Sequence, residues 1–152
     1  MFTGDLAVLS NFYMHPFEMP VLGTVASGEH AFNALKTADP GKQRWVLSAG
    51  TPGEAKRRGR SVTLRPDWDS GFRFLAMQMT LRAKFAVPEL LEVLDGTGDL
   101  VLIETNLWHD NFWGSCLGDE PAKTAHRPEC AHPGKNMLGE MLMAIRAASL
   151  NS

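Results

Sequence analysis

The chain has 152 residues, 44% of them hydrophobic and 21% charged, and its formal net charge at pH 7 is −2. These values fit one globular domain with its own core, and they exclude a disordered chain or a polycation that would hold a nucleic-acid duplex. No apolar run reaches the length of a membrane span, the first residues lack a secretory signal pattern, and there are only two cysteines. We therefore expect a cytoplasmic protein with reduced thiols and no membrane contact.

The first predicted elements are a loop, a short strand and a helix. Pro16 and Pro20 are expected to bracket the loop, and residues 20–25 are β-branched enough for a short edge strand. The helix is predicted over residues 27–38 with Ser27 as its N-cap. It is expected to end before Pro40, because a residue that precedes proline avoids helical backbone.

This helix has two different faces. At 100° per residue, the small and aliphatic side chains at positions 31, 34, 35 and 38 gather on one side. The opposite side carries Glu29, Phe32, Asn33 and Lys36. We expect the first side to dock on the core and the second to face solvent, either as an ordinary polar surface or as part of a site. Glu29 lies in the first turn, where the helix dipole favours a negative charge, so we expect it to stay ionised and to stabilise a cation or activate water.

The rest of the chain is expected to be mostly helical. Further helices are predicted at residues 42–49, 52–59, 72–85, 89–94 and 136–148, and short strands at 60–65 and 100–103. The helix over 72–85 is apolar on two sides, which predicts the most buried element of the fold. The order predicts a mainly α single domain over residues 1–152 with two or three short β-strands.

Four stretches place polar groups beside an aromatic ring or a glycine, in a loop or at a helix start. They are residues 10–12, 29–36, 110–114 and 134–139. Rings stack on a flat group and amides hydrogen-bond its edges, so this mixture is typical of a pocket for a planar, polar ligand.

Taken together, these stretches resemble the NADAR or YbiA-like N-glycosidases. The matching residues follow the same order through nearly the whole chain: Leu9-Ser10-Asn11-Phe12, Glu29-His30-Ala31-Phe32 with Lys36, Thr51-Pro52-Gly53-Glu54-Ala55-Lys56 with Gly59-Arg60, Trp68, Leu81-Arg82-Ala83-Lys84-Phe85, Asp110, Trp113-Gly114, Gly134, Asn136, Leu138-Gly139, Leu142-Met143 and Arg146. Two departures stand out. Asn33 occupies a position where family members carry glutamine, which bears on how a base is recognised. The segment between Gly114 and Gly134 is longer, which bears on a lid or a partner surface.

The resemblance implies a compact helical YbiA-like fold and cleavage of an N-glycosidic bond without a cofactor. The bond would join a phosphorylated ribose, as ribose 5-phosphate or ADP-ribose, to a base-like amine. Family substrates are aminouracil intermediates of riboflavin biosynthesis and ADP-ribosylated guanine, which is free or within a nucleic acid. As such a bond breaks, the sugar becomes oxocarbenium-like, and a carboxylate beneath it stabilises the positive charge.

On this resemblance, the candidate catalytic residues are Glu29, Lys36 and Asp110. Glu29 would stabilise the sugar cation or orient water. Lys36 would pair with the phosphate or capture an opened sugar aldehyde as a Schiff base, with an ordinary solvent-facing lysine as the alternative. Asp110 would hold the leaving base or a ribose hydroxyl. The candidate substrate-binding residues are Asn11, Phe12, Phe32, Asn33, Lys56, Trp68, Trp113, Gly114 and Asn136. A core position for Trp113 and a capping role for Asn136 are the structural alternatives.

Three further interpretations compete with parts of this one. The basic cluster Lys56, Arg57, Arg58, Arg60 and Arg65 would bind phosphates or merely complement a helix C-terminus. The residues Cys116, His126, Cys130 and His132 are zinc-ligand types, but their spacing lacks the C-x-x-C pattern, so we predict no metal. A module that binds ADP-ribose or a nucleotide without cleaving it is the alternative to an enzyme, and a zinc-stabilised interaction domain over residues 115–134 is a weaker one.

Overall fold

Helices form most of the regular structure in the computed structural model, which describes residues 2–106, 109–116 and 134–150. The α-helices are α1 (Gly28–Ala34), α2 (Pro40–Leu47), α3 (Pro52–Gly59), α4 (Arg73–Lys84), α5 (Pro88–Asp95) and α6 (Met137–Ser149). A 3₁₀ helix spans Gly4–Leu9, and a π-helical turn, Trp68–Phe72, precedes α4. The strands are β1 (Met14–Met19), β2 (Gly23–Ser27), β3 (Thr105–Asn106) and β4 (Ser115–Cys116). The predicted mainly α fold with short strands is confirmed.

By its internal contacts the chain divides into two units. One comprises residues 11–91, and the other comprises residues 1–10 with 92–152 and is called the 92–152 unit below. The single domain over residues 1–152 stays a prediction. None of the helices among the described residues combines the length and the apolar character needed to cross a lipid bilayer.

The 11–91 unit begins with an antiparallel hairpin of β1 and β2. The predicted loop between the first prolines is wrong, because β1 includes Pro16 at an irregularity in the register between Met14 and Phe17. Proline, which has no N–H, is tolerated at such an irregularity in an edge strand. The strand predicted at 20–25 forms slightly later, at Gly23–Ser27, and leads directly into α1.

Helix α1 is the centre of the 11–91 unit, packed by β2, α2, α3 and α4. It ends at Ala34, four residues earlier than predicted, and every one of its residues is buried. The predicted solvent-facing side is therefore wrong. Neighbouring elements cover both faces of α1, and a pattern within one helix does not reveal this.

The start of α3 matches its prediction. Thr51 Oγ1 accepts a hydrogen bond from the Glu54 N–H at 3.2 Å, and Pro52 occupies the first turn. Glu54 in turn accepts a hydrogen bond from the Gly50 N–H at 2.9 Å. A small apolar core joins α1, α2, α3 and the segment that follows: Ala34, Val46, Ala49, Ala55 and Val62. Because these side chains are small, the helices can lie close together.

Three other predictions are wrong. Residues 60–65 form no strand, and Arg65 instead donates one backbone hydrogen bond to the Lys36 carbonyl at 2.8 Å. Residues 100–103 form no strand either, and three of the four side chains are exposed: Leu100, Val101 and Ile103. Helix α4 is buried on one side rather than two, through Ala76, Met77, Thr80, Leu81 and Lys84. Helix α1 is more completely buried than α4.

In the 92–152 unit, Asn136 and Gly139 fix the start of α6 against residues 102–104. Asn136 has a left-handed backbone (φ 50°) and makes no side-chain cap. Its amide instead donates to the Leu102 carbonyl at 2.8 Å and accepts from the Glu104 N–H at 2.9 Å. A Cβ at Gly139 would overlap the Leu102 carbonyl oxygen, so the absence of a side chain lets the backbone of residue 102 approach α6 closely.

Candidate functional site

The Glu29 side chain lies inside the 11–91 unit, only 7% exposed. The backbone N–H of Glu29 donates to the Asn11 carbonyl at 2.9 Å, and this hydrogen bond anchors the start of α1 to the loop before β1. Carboxylate atom Oε1 accepts a hydrogen bond from Asn33 Nδ2 at 3.0 Å. Within the part of the chain that the structure describes, no other group donates a hydrogen bond to this carboxylate. One of its oxygens therefore retains its capacity to accept a hydrogen bond.

Burial raises the pKa of the Glu29 carboxyl above its usual value. Lys56, the Asn33 hydrogen bond, Lys36 and His30 act in the opposite direction and lower this pKa. From the sequence, Glu29 was expected to lie exposed at the helix terminus and to stay ionised there. The exposed position is wrong, because the side chain is buried. Burial thus favours the protonated carboxyl, whereas two lysines, the Asn33 amide and His30 favour the ionised form.

The two lysines each lie over an aromatic ring. Lys36 Nζ is 5.5 Å from the centroid of Phe32, and Lys56 Nζ is 5.3 Å from that of Phe12. Lys36 is half-buried, which lowers the pKa of its ammonium group, whereas the Glu29 carboxylate raises it. A lowered pKa enlarges the fraction of neutral amine, the form that attacks a carbonyl carbon. This arrangement differs from the ordinary solvent-facing lysine considered above.

Aromatic rings form one side of this region. Phe32 and Trp68 are both buried, with ring centroids 5.3 Å apart, and Phe72 lies 6.3 Å beyond Trp68. The Arg65 guanidinium stacks on Phe72 at 3.3 Å. The rings thus support one another and leave little of Trp68 exposed for stacking on a ligand.

Two buried amides flank Glu29, and each lies against a glycine. Asn11 donates to Met77 Sδ at 3.2 Å, and its Oδ1 would be 2.5 Å from a Cβ at Gly28. Asn33 is fully buried, and a Cβ at Gly59 would overlap its Oδ1. These glycines leave the space that the amides occupy.

His30 also belongs to this region, although it was part of the matching motif without being a candidate site residue. Its Nδ1 is 2.7 Å from Ser27 Oγ and its Nε2 is 3.0 Å from the Ala49 carbonyl. Because a carbonyl only accepts, Nε2 must carry a hydrogen. The ring therefore ties the start of α1 to the residue that follows the C-cap of α2. The spacing of Ser27 and His30, an N-cap and its third helical residue, is the signal that could have indicated this contact.

The basic cluster proposed from sequence does not converge on one place. The positive charge of Lys56 lowers the pKa of Glu29, and the positive charge of Arg60 lowers the pKa of Lys36. The other arginines have partners of their own: Arg57 and Arg58 pair with Glu54 at 3.7 and 2.8 Å, and Arg65 pairs with Asp67 at 2.5 Å.

The remaining candidates belong to the 92–152 unit and are near one another there. Asp110 Oδ1 accepts from the N–H groups of Phe112 and Trp113 at 3.0 and 2.8 Å. Trp113 packs edge-on against Phe112, with centroids 4.9 Å apart. A Cβ at Gly114 would overlap the Glu104 carbonyl oxygen, and Asn136 N–H donates to the Gly114 carbonyl at 3.2 Å. The structure thus brings Asn11, Phe12, Glu29, Phe32, Asn33, Lys36, Lys56 and Trp68 together in one unit, and Asp110, Trp113, Gly114 and Asn136 in the other.

The described residues contain no group of three His, Cys, Asp or Glu side chains that could hold a metal ion. Cys116 is buried, with its Sγ 3.6 Å from His109 Nδ1. His126, Cys130 and His132 lie outside the described residues. The absence of a bound metal therefore stays a prediction.

A match to the NADAR domain family covers residues 2–149. The chain belongs to the NADAR family. It is similar to a protein named N-glycosidase of Nostoc punctiforme, with 33% identity over 80% of this chain and 72% of that protein. A second protein named N-glycosidase, of Acanthamoeba polyphaga mimivirus, is 31% identical over 76% of this chain and 68% of its own length.

The fold of this NADAR chain is also similar to that of a solved structure. The NMR structure of the Escherichia coli protein YbiA aligns with a TM-score of 0.79 and 28% identity, covering 99% of this chain and 82% of YbiA. The resemblance inferred from the sequence is confirmed. The named relatives support N-glycosidase activity in this family and hence a glycosyl hydrolase.

Proposed function

We propose that this NADAR chain hydrolyses the N-glycosidic bond between a phosphorylated ribose and a base-like amine. The ribose would be ribose 5-phosphate or part of ADP-ribose, and the amine an aminouracil of riboflavin biosynthesis or a guanine. The observation that carries the proposal is the buried Glu29 carboxylate, held by Asn33 and acted on by the positive charges of Lys56 and Lys36. The named relatives support the same reaction class.

Glu29 stabilises the charge that develops on the sugar. When the C–N bond breaks, its electron pair leaves with the nitrogen and the sugar carbon becomes cationic. A carboxylate inside the protein interacts with that cation more strongly than one in water, because little solvent screens it. The oxygen that accepts no hydrogen bond from the described residues can orient the attacking water and take its proton.

The two lysines bind the anionic part of the substrate. A phosphate adds negative charge beside Lys36 and Lys56, where each ammonium lies over a ring. In a second route, the neutral Lys36 amine attacks C1 of the ring-opened sugar, and the base leaves as a free amine. The product is an imine between Lys36 and C1, which water then hydrolyses to free Lys36 and the sugar aldehyde. The lowered pKa of Lys36 supports this second route.

The role expected for Asp110, holding the leaving base or a ribose hydroxyl, and that expected for Trp113, stacking on a ring, stay predictions. Asp110 Oδ1 already accepts two backbone N–H groups, which hold the side chain in place. Among the described residues, Oδ2 accepts no hydrogen bond.

The cytoplasmic location expected from the composition stays a prediction.

The test is to incubate the protein with aminouracil ribosylamine phosphates and with ADP-ribosylated guanine, as nucleotide and within an oligonucleotide, and to follow free base by chromatography. We expect release from at least one substrate, lowered about 100-fold or more by Glu29→Gln, because the charge is lost while the acceptor for Asn33 remains. Folded wild-type protein that releases no base from either substrate would contradict the reaction. Full activity of Glu29→Gln would contradict the role of Glu29 but not the reaction itself. Tight ADP-ribose binding without release would favour the binding module.

A further inference from the structure

Asn33 uses both hydrogens of its side-chain amide on Glu29. Nδ2 donates to the Glu29 carbonyl at 2.8 Å and to the Glu29 carboxylate at 3.0 Å. The two residues are one helical turn apart on α1, and Asn33 is fully buried. The amide therefore fixes the carboxylate relative to the backbone that carries it.

The orientation of this amide is determined by its surroundings. If the oxygen and nitrogen exchanged places, Oδ1 would face the Glu29 carbonyl and carboxylate, which are both acceptors. As placed, Oδ1 lies against Gly59 on α3, where any side chain would overlap it. One helical turn before Gly59, α3 carries Lys56, which acts on the same carboxylate. The contact of Asn33 with Gly59 thus joins the two helices that supply the carboxylate and one of its lysines.

We propose that Asn33 is a positioning residue of this enzyme, which holds the Glu29 carboxylate in place and favours its ionised form, rather than a residue that contacts the base. The proposal rests on the function proposed above for Glu29. The asparagine side chain reaches Glu29 while its oxygen fills the space over Gly59. A glutamine at this position would be one methylene longer and would require a different arrangement of these atoms.

The physical reason is that a hydrogen bond to a carboxylate favours its charged form. Asn33 adds this effect to the charges that surround Glu29, which are Lys56 from α3 and Lys36 and His30 from α1 and its C-terminal turn. Removing the amide leaves a buried carboxylate whose remaining support is electrostatic. Glu29 then binds a proton more readily and is free to rotate.

The experiment compares Asn33→Leu and Asn33→Ala with a matched control, Thr80→Val. Thr80 is also fully buried, and its Oγ1 donates to the carbonyl four residues earlier, Ala76, at 2.8 Å, but on α4. The Glu29 carboxyl is titrated directly by ¹³C NMR, and kcat for base release is measured across pH. The free energy of unfolding is measured for all variants.

In both Asn33 variants we expect the titration midpoint of Glu29 to move to higher pH. We also expect the acid limb of the kcat profile to move in the same direction, with kcat on that limb about tenfold below that of Thr80→Val. Thr80→Val should lower stability but leave both midpoints unchanged. An unchanged Glu29 midpoint in a folded Asn33 variant would overturn the proposal. Asn33→Ala introduces no bulk, so it serves if Asn33→Leu does not fold. The NMR titration needs no substrate, so it still tests Asn33 if the proposed reaction fails.

Discussion

Burial acts on two oppositely charged side chains of the 11–91 unit and favours the neutral form of each. It raises the pKa of Glu29, where lysines and an amide oppose it. It lowers the pKa of Lys84 to about 7, although this side chain, only 1% exposed, also contacts the Phe85 ring at 5.3 Å. The two residues therefore place opposite demands on pH, because Glu29 is ionised at high pH and Lys84 is charged at low pH.

The effect of Lys84→Met on the free energy of unfolding is expected to be more favourable at low pH than at high pH. The unfolded chain binds the Lys84 proton up to about pH 10.5 and the folded chain only up to about pH 7. The cost of burying the charge is therefore complete below pH 7, at most roughly 5 kcal/mol, and it declines as pH rises towards 10.5. Urea denaturation between pH 6 and 10 measures this. Arg82→Met, at an exposed position of the same helix, is the control. A difference in unfolding free energy between Lys84→Met and the wild type that does not change between pH 6 and 10 would contradict the prediction.

At the scale of elements, the contact between α1 and α3 requires a glycine at one position. Gly59 lies under the Asn33 amide, and α3 carries both Gly59 and the site residue Lys56. At a second glycine of the same helix, Gly53, an added Cβ would have nothing within 4 Å. The two glycines allow the steric role of Gly59 to be separated from the helix propensity of glycine.

Gly59→Ala is expected to lower the free energy of unfolding by about 1–3 kcal/mol, because its methyl group overlaps Asn33 Oδ1. It should also reduce base release, since the displaced amide no longer holds Glu29. Gly53→Ala should be neutral or stabilising, by up to about 1 kcal/mol, since alanine favours a helix. Thermal or urea unfolding and the release assay measure both effects. Equal stability changes in the two variants would contradict the steric explanation.

Local signals predicted the elements that depend on local chemistry. The cap at Thr51 and Pro52 predicted α3, and the spacing of Glu29, Asn33 and Lys36 predicted that they lie near one another. The errors come from contacts between distant parts of the chain. The burial of α1 depends on four other elements, so neither the raised pKa of Glu29 nor the role of Asn33 in holding it follows from a helical pattern.

Asn136 shows the same limit as Asn33: its contacts depend on a distant part of the chain. Asn136 was expected to cap α6 or to bind substrate. It makes no cap, its amide holds residues 102 and 104, and substrate binding by Asn136 stays a prediction. An amide that precedes an apolar helix is typical of a cap, and only the left-handed backbone of Asn136 directs its side chain elsewhere. Lys56 was a candidate substrate-binding residue through the family resemblance, and its effect on the Glu29 carboxyl appears only in the structure.

At the scale of the whole molecule, the net charge of −2 offers no general attraction for an anionic substrate. Positive charge is instead concentrated where Lys36 and Lys56 act on Glu29. The proposed reaction uses only a carboxylate, amines and water, so it has no step that requires a metal ion.

Exhaustive dialysis against EDTA is therefore expected to leave both base release and the midpoint of thermal unfolding unchanged. Elemental analysis of the purified protein should find less than one equivalent of zinc. A loss of activity or of stability that added zinc restores would contradict this prediction. It would assign a structural or catalytic metal to the cysteines and histidines considered above.

The fit between Asn33 and Gly59 has a consequence for altering substrate preference by mutagenesis. The two positions lie on different helices, yet the oxygen of one occupies the volume that a side chain of the other would need. A library that diversifies either codon separately would lose most of its members to misfolding or to a displaced carboxylate. Varying both codons together, so that a longer amide at 33 meets compensating changes around 59, samples the combinations that this framework can accommodate.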